Sequence, residues 1–115
     1  MALNDPVKAL PLWRKLSADT KSKEGAEAKY QVCVYYFDNN KLKETENEVM
    51  DFIDKNSPHQ YWLAKSFLLL AKTYEKQNDN FQAIHTLKSV IDNYETKDDG
   101  IIEEANAYLL QLEKK

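Results

Sequence analysis

Three stretches of the chain repeat one spacing, a small residue followed by large apolar residues four and seven positions further on. Ala9, Trp13 and Leu16 form the first, Thr45, Val49 and Phe52 the second, and Ala83, Leu87 and Val90 the third. The two steps, from position 9 to 45 and from 45 to 83, are nearly equal. Intervals of four and then three put all three side chains on one stripe of an α-helix, with polar residues on the opposite side. The register extends to Ile53 and Ile91 in the later copies, with Ser17 in the same slot of the first. A different stripe precedes the last two copies: Val32, Cys33 and Tyr36, then Leu70, Ala71 and Tyr74, separated by the same step as Thr45 and Ala83. The unit is therefore helix A, a short turn and helix B. The near-echo of "NDPVKAL" (4–10) in "NDNFQAI" (78–84) marks where successive B helices start.

This reading predicts one all-α domain of six antiparallel helices: a B helix over 6–17, then 23–37, 41–55, 58–77, 80–94 and a last helix over 99–113. In units, these are a half repeat (1–17), repeats over 23–56 and 58–95, and a capping helix within 99–115. The turns at Asp38–Asn40 and Gln77–Asn80 are rich in Asn and Asp, which tolerate left-handed backbone. Ser57-Pro58-His59-Gln60 offers an N-cap, a proline at the first helical position and a capping-box Gln. Asp99 is expected to cap the last helix, with Glu103 and Glu104 at its positive end. That helix carries Ile101, Ala105, Tyr108, Leu109 and Leu112 on one face and is expected to keep the other wet. Pro11 leaves two alternatives, because a proline inside a helix costs about 3 kcal/mol. Either the first helix kinks there, or it starts near Pro11 and residues 1–10 are partly irregular.

Composition supports the helical reading. Only two Gly and three Pro occur in 115 residues, so tight turns are few. With 43% hydrophobic and 30% charged residues the balance is that of a globular chain with a modest core. The net charge of −3 is spread over mixed acidic and basic residues. A nucleic-acid partner is not expected, since no basic face is visible. No apolar run approaches the length of a membrane span, so direct membrane insertion is not expected either. The start, "MALNDPVKAL", lacks the charged and apolar regions of a signal peptide. The first unit begins halfway through the motif, as expected of a piece of a longer chain.

Chemistry is sparse. Cys33, His59 and His85 are the only soft metal ligands, and none stands in a ligand spacing. Cys33 reads as a small core residue, since a lone cysteine closes no internal disulfide. Two glycines cannot supply a phosphate-cradling loop, and no nucleophile–base order is visible. No enzyme activity, metal or cofactor is expected.

The residues resemble the tetratricopeptide repeat, a helix–turn–helix unit about 34 positions long. The stretch 64–94 is the better copy, with Phe67, Leu70, Ala71 and Tyr74, then Ala83, Leu87 and Val90. The stretch 26–56 matches through Val32, Cys33, Tyr36, Thr45, Val49 and Phe52, and the stretch 1–17 matches a B helix alone. Departures are Asn78 where the family has a turn Gly, an aromatic displaced to Phe81, no Pro after the second B helix, and steps longer than the family's. The A helix opening "SPHQYWLAKSF" is similar to those of bacterial tetratricopeptide proteins, some of them in the cell envelope; otherwise a cytoplasmic location is implied.

The resemblance implies an α-α superhelix that binds proteins or peptides on a concave face lined by A helices. Positions between core residues would face it: Glu27, Tyr30, Val34 and Phe37, then Lys65, Leu68, Lys72 and Glu75. Of these, Tyr30, Val34, Phe37, Lys65, Leu68 and Lys72 are the expected partner-binding set, with apolar anchors beside a lysine strip. The alternative for Tyr30, Val34 and Phe37 is packing on the neighbouring unit. The family's clamp for chaperone C-termini is not expected, because the corresponding positions include Tyr30, Val34 and Leu69. A rival role is structural, with the first helix packing on further repeats or on a second copy as a homodimer.

Overall fold

A computed structural model describes residues 6–95 and 99–114, with side chains from residue 9 onward. The opening of the half repeat (1–5), the junction 96–98 and Lys115 lie outside the described residues. Six helices follow one another: α1 (Pro6–Leu16), α2 (Lys23–Asp38), α3 (Leu42–Asp54), α4 (Gln60–Lys76), α5 (Asn80–Asn93) and α6 (Ile101–Glu113). No strand occurs among the described residues. No described helix is long and apolar enough to cross a membrane.

Each helix packs on the next in sequence, and the even-numbered helices also pack side by side, α2 on α4 and α4 on α6. The backbones of α1, α3 and α5 do not come within 8 Å of one another among the described residues. The helices thus form two layers, a continuous even one and a splayed odd one, with α4 at the centre.

The repeated stripe is what the layers bury. Ala9, Thr45, Val49, Phe52, Ala83 and Leu87 have no exposed surface, and Trp13 and Val90 are also buried. Leu16 departs from this register. It is 40% exposed, while the adjacent Ser17 turns inward and its hydroxyl donates to the Arg14 carbonyl. Burying hydroxyls costs little where they bond the preceding turn, as Thr45, Thr73 and Thr86 also do. Cys33 is fully buried beside Ala71, as expected of a small residue between close helices.

The turns follow the chain's asparagines. Asn40 and Asn78 sit at φ 60° and 63°, in the left-handed region their side chains tolerate best after glycine. Asn56, after α3, does the same at φ 53° and was not anticipated. Two helix starts differ from expectation. Ser57 does not cap α4; it is drawn away by a hydrogen bond to the Thr20 carbonyl, and the helix begins two residues beyond Pro58. His59 Nε2 donates to the Lys21 carbonyl at 2.9 Å, tying the same start to the α1–α2 loop. Gly100, at φ 88°, takes the N-cap of α6, while Asp99 accepts from the Ile101 amide at 3.1 Å and from the Tyr94 hydroxyl. Pro11 lies within α1, which begins at Pro6, so the alternative of irregular chain over 6–10 is set aside. Its ring is exposed, and one missing amide in the second turn leaves only one carbonyl for water to satisfy.

Candidate functional site

Among the described residues, the face of the even layer is where several helices jointly present apolar and charged groups drawn from the expected set. Tyr30 of α2 is half-buried, with its ring centroid 5.7 Å from that of Trp62 and Lys65 Nζ 5.7 Å above it. Trp62 in turn meets the Tyr61 ring edge-on at 5.1 Å. Further along, Phe37 is half-buried under Lys76 Nζ, 4.7 Å from its centroid. Beyond it an open groove of about 460 Å³ runs between α4 and α6, lined by Phe37, Lys72, Glu75, Lys76, Glu104 and Tyr108, among others. Cations over aromatic faces are held by the ring quadrupole at up to about 2 kcal/mol, so these lysines are oriented without being neutralised.

The expected residues divide. Tyr30, Phe37, Lys65 and Lys72 lie on this face, Lys72 exposed and the other three partly covered. Val34 is half-buried and packs on the core, as the packing alternative had it. Leu68 is corrected: it is 2% exposed and unavailable to a partner. The reason is that α6 packs on α4 as α2 does, so a residue between core positions of α4 is roofed over from both sides. Glu27 also falls elsewhere, beside Trp13 and Leu16 on the α1 side of α2. Glu75 lines the groove but accepts a hydrogen bond from the Tyr108 hydroxyl.

Sequence reasoning missed α6 as a wall of this groove. Ala105 and Tyr108 echo the Ala71–Tyr74 pair at the same internal spacing, and that echo is the signal in the sequence that could have placed α6 beside α4. Tyr61, Trp62, Lys76, Glu104 and Tyr108 were missed with it.

Two phenols on this face are shifted. Burial raises the Tyr30 hydroxyl above its ordinary pKa, and the Glu104 carboxylate raises it further. Tyr108 is raised strongly, by burial first and then by the hydrogen bond to Glu75. Both phenols therefore stay neutral donors at any physiological pH. The Cys33 thiol, desolvated in the core, is pushed up to about 12 and supplies no thiolate nucleophile.

A second polar centre lies on the other side of α2. Lys29 is 4% exposed, and its Nζ lies 2.6 Å from both Glu48 Oε2 and Asp51 Oδ2. Arg14 completes the cluster from α1, 3.0 Å from Glu48 Oε1 and donating to the Tyr36 hydroxyl. These groups satisfy one another, which makes the cluster a tie between three helices. Comparison of the chain with family models, with curated proteins and with solved structures gave no match.

Proposed function

We propose that this chain is a non-catalytic scaffold of tetratricopeptide type that binds a protein segment along the even-helix face. The observation that carries the reading is the groove between α4 and α6, with Phe37 and Tyr108 in its walls and Lys72 and Lys76 at its edge. Apolar anchors beside fixed charges suit an extended or amphipathic peptide, whose backbone and side chains need both. The successive packing of helix pairs, with the even helices adjacent and the odd ones apart, supports a curved stack with this face inward. A preformed surface binds without first paying for its own ordering.

The test is selection of peptides from a displayed library on the wild-type chain, followed by titration of Lys72→Glu and Tyr108→Ala. Affinity for the selected peptides is expected to fall at least about tenfold, or about 1.4 kcal/mol, while Lys72→Glu leaves the melting temperature in place. Selected peptides that bind both variants as tightly as the wild type would remove the groove from the proposal.

A further inference from the structure

We infer that the segment held between α4 and α6 is an amphipathic α-helix, with an apolar side chain seated beside Ala107 and carboxylates one turn apart facing Lys72 and Lys76. The inference rests on the groove reading above and narrows its occupant. On the α6 wall Glu104, Ala107, Tyr108 and Gln111 stand at i, i+3, i+4 and i+7. These are the four corners of a hole of the kind that receives one side chain of a facing helix. Ala107, at one corner, is exposed and carries a single methyl group, so an apolar side chain can enter deeply and rest against the Tyr108 ring. On the α4 wall Lys72, Glu75 and Lys76 stand at i, i+3 and i+4, so both walls present rows at the spacing of a third helix.

The polar groups of the groove decide against an extended occupant. A strand brings a main-chain donor and acceptor at every residue, and each is destabilising if it leaves water unpaired. Pairing them takes a row of amides or an open sheet edge, and the described lining holds one amide, Gln111. Lys72 and Lys76 only donate, Glu104 only accepts, and Glu75 already accepts from the Tyr108 hydroxyl. A helix keeps its backbone bonds to itself and needs partners for its side chains alone. The charges then set its rotation about its axis. Lys72 and Lys76 lie one turn apart on α4 and Glu104 stands on the opposite wall, so the occupant is acidic toward α4 and basic or neutral toward α6. Near the helix C-termini Asp38 follows Phe37 and Lys114 stands seven after Ala107, opposite charges that offset each other.

Two displayed peptide libraries, each selected on the full chain, test this. One is built on an alanine-rich helical scaffold of about 16 residues, long enough to fold in isolation, and the other carries proline at every third position to hold it extended. Binders are expected from the helical library alone, with acidic residues one turn apart and a large apolar residue on the same face. A proline placed in mid-peptide should weaken them by about a hundredfold. Ala107→Leu should weaken them at least about tenfold by filling the hole, with the melting temperature unmoved because the side chain is exposed. The loss caused by Lys72→Glu should be restored by exchanging the facing carboxylate of the peptide for lysine. Binders that come from the extended library, and that Lys72→Glu and Tyr108→Ala weaken, overturn the helix and leave the groove standing. Helical binders indifferent to Ala107→Leu overturn the seat beside Ala107. Binders of either kind that ignore all three variants, or a chain that selects nothing, overturn the groove and the helix together.

Discussion

Lys29 is a buried cation of α2, and what holds it there is a pair of carboxylates from α3. Removing one partner of a buried ion pair typically costs about 3–5 kcal/mol, because the other charge stays desolvated and uncompensated. Here the Asp51 side chain is 52% exposed and water partly compensates it, so Lys29→Met is expected to cost about 3 kcal/mol in urea denaturation. Adding Glu48→Gln should return part of that loss. The pH dependence follows from the directions of the shifts. The hydrogen bond from Lys29 holds the Asp51 carboxyl below its ordinary range, so its contribution is complete above about pH 4 and is lost as pH falls through the lower folded value. Burial pushes the Lys29 ammonium down, but its bonds to Asp51 and Glu48 outweigh this and the net shift is upward. Its contribution is complete below about pH 10 and is lost above. Stability of Lys29→Met should therefore fall less steeply below pH 4 than that of the wild type; parallel acid limbs would refute the assignment. None of this was legible in the sequence. Lys29 reads as one more polar residue of α2, because its partners lie 19 and 22 residues on and no local period brings them near.

At the scale of elements the sequence was far more open, since helix type and order depend on local periods that the chain displays directly. The stripe at Ala9, Thr45 and Ala83 marked the odd helices, and the asparagines at 40 and 78 marked two of the turns. What stayed hidden were starts set by tertiary bonds, as at Ser57, and a packing glycine. Gly25 occupies the third position of α2, where its amide donates to Ser22 Oγ at 2.9 Å. A Cβ built there would stand 1.7 Å from the Asp19 carbonyl oxygen. In an open helix Gly→Ala stabilises by about 1 kcal/mol. Here the clash is with backbone, which cannot rotate aside, so Gly25→Ala is expected to destabilise by about 2 kcal/mol. Thermal melting followed by circular dichroism checks the sign, and a melting point raised by the alanine would show that the 17–22 loop yields freely. Leu68 failed for the related reason that burial of a position between core residues depends on which helices pack beside it, here α2 and α6, and no local period reveals that.

For the molecule as a whole, the layered order makes stability uneven along the chain. In a stack where each helix touches only near neighbours, opening from an end exposes one interface at a time, whereas opening in the middle exposes several. Helix α4 packs on α2, α3, α5 and α6, and eight of its residues are buried. Helix α6 packs on two helices and α1 on one. The tie of α1 through Arg14 is to Glu48, and the Arg14 side chain is 45% exposed, so that bond adds little against opening. Amide exchange should accordingly fall into an order, with α1 first, α6 next, and the amides from Leu68 to Tyr74 last, at the rate of global unfolding. The gap between α1 and α4 should exceed about a hundredfold, a difference in opening free energy of roughly 3 kcal/mol. Equal protection in all six helices would mean a closed, fully cooperative bundle, and the stacked reading of the layers would then be wrong.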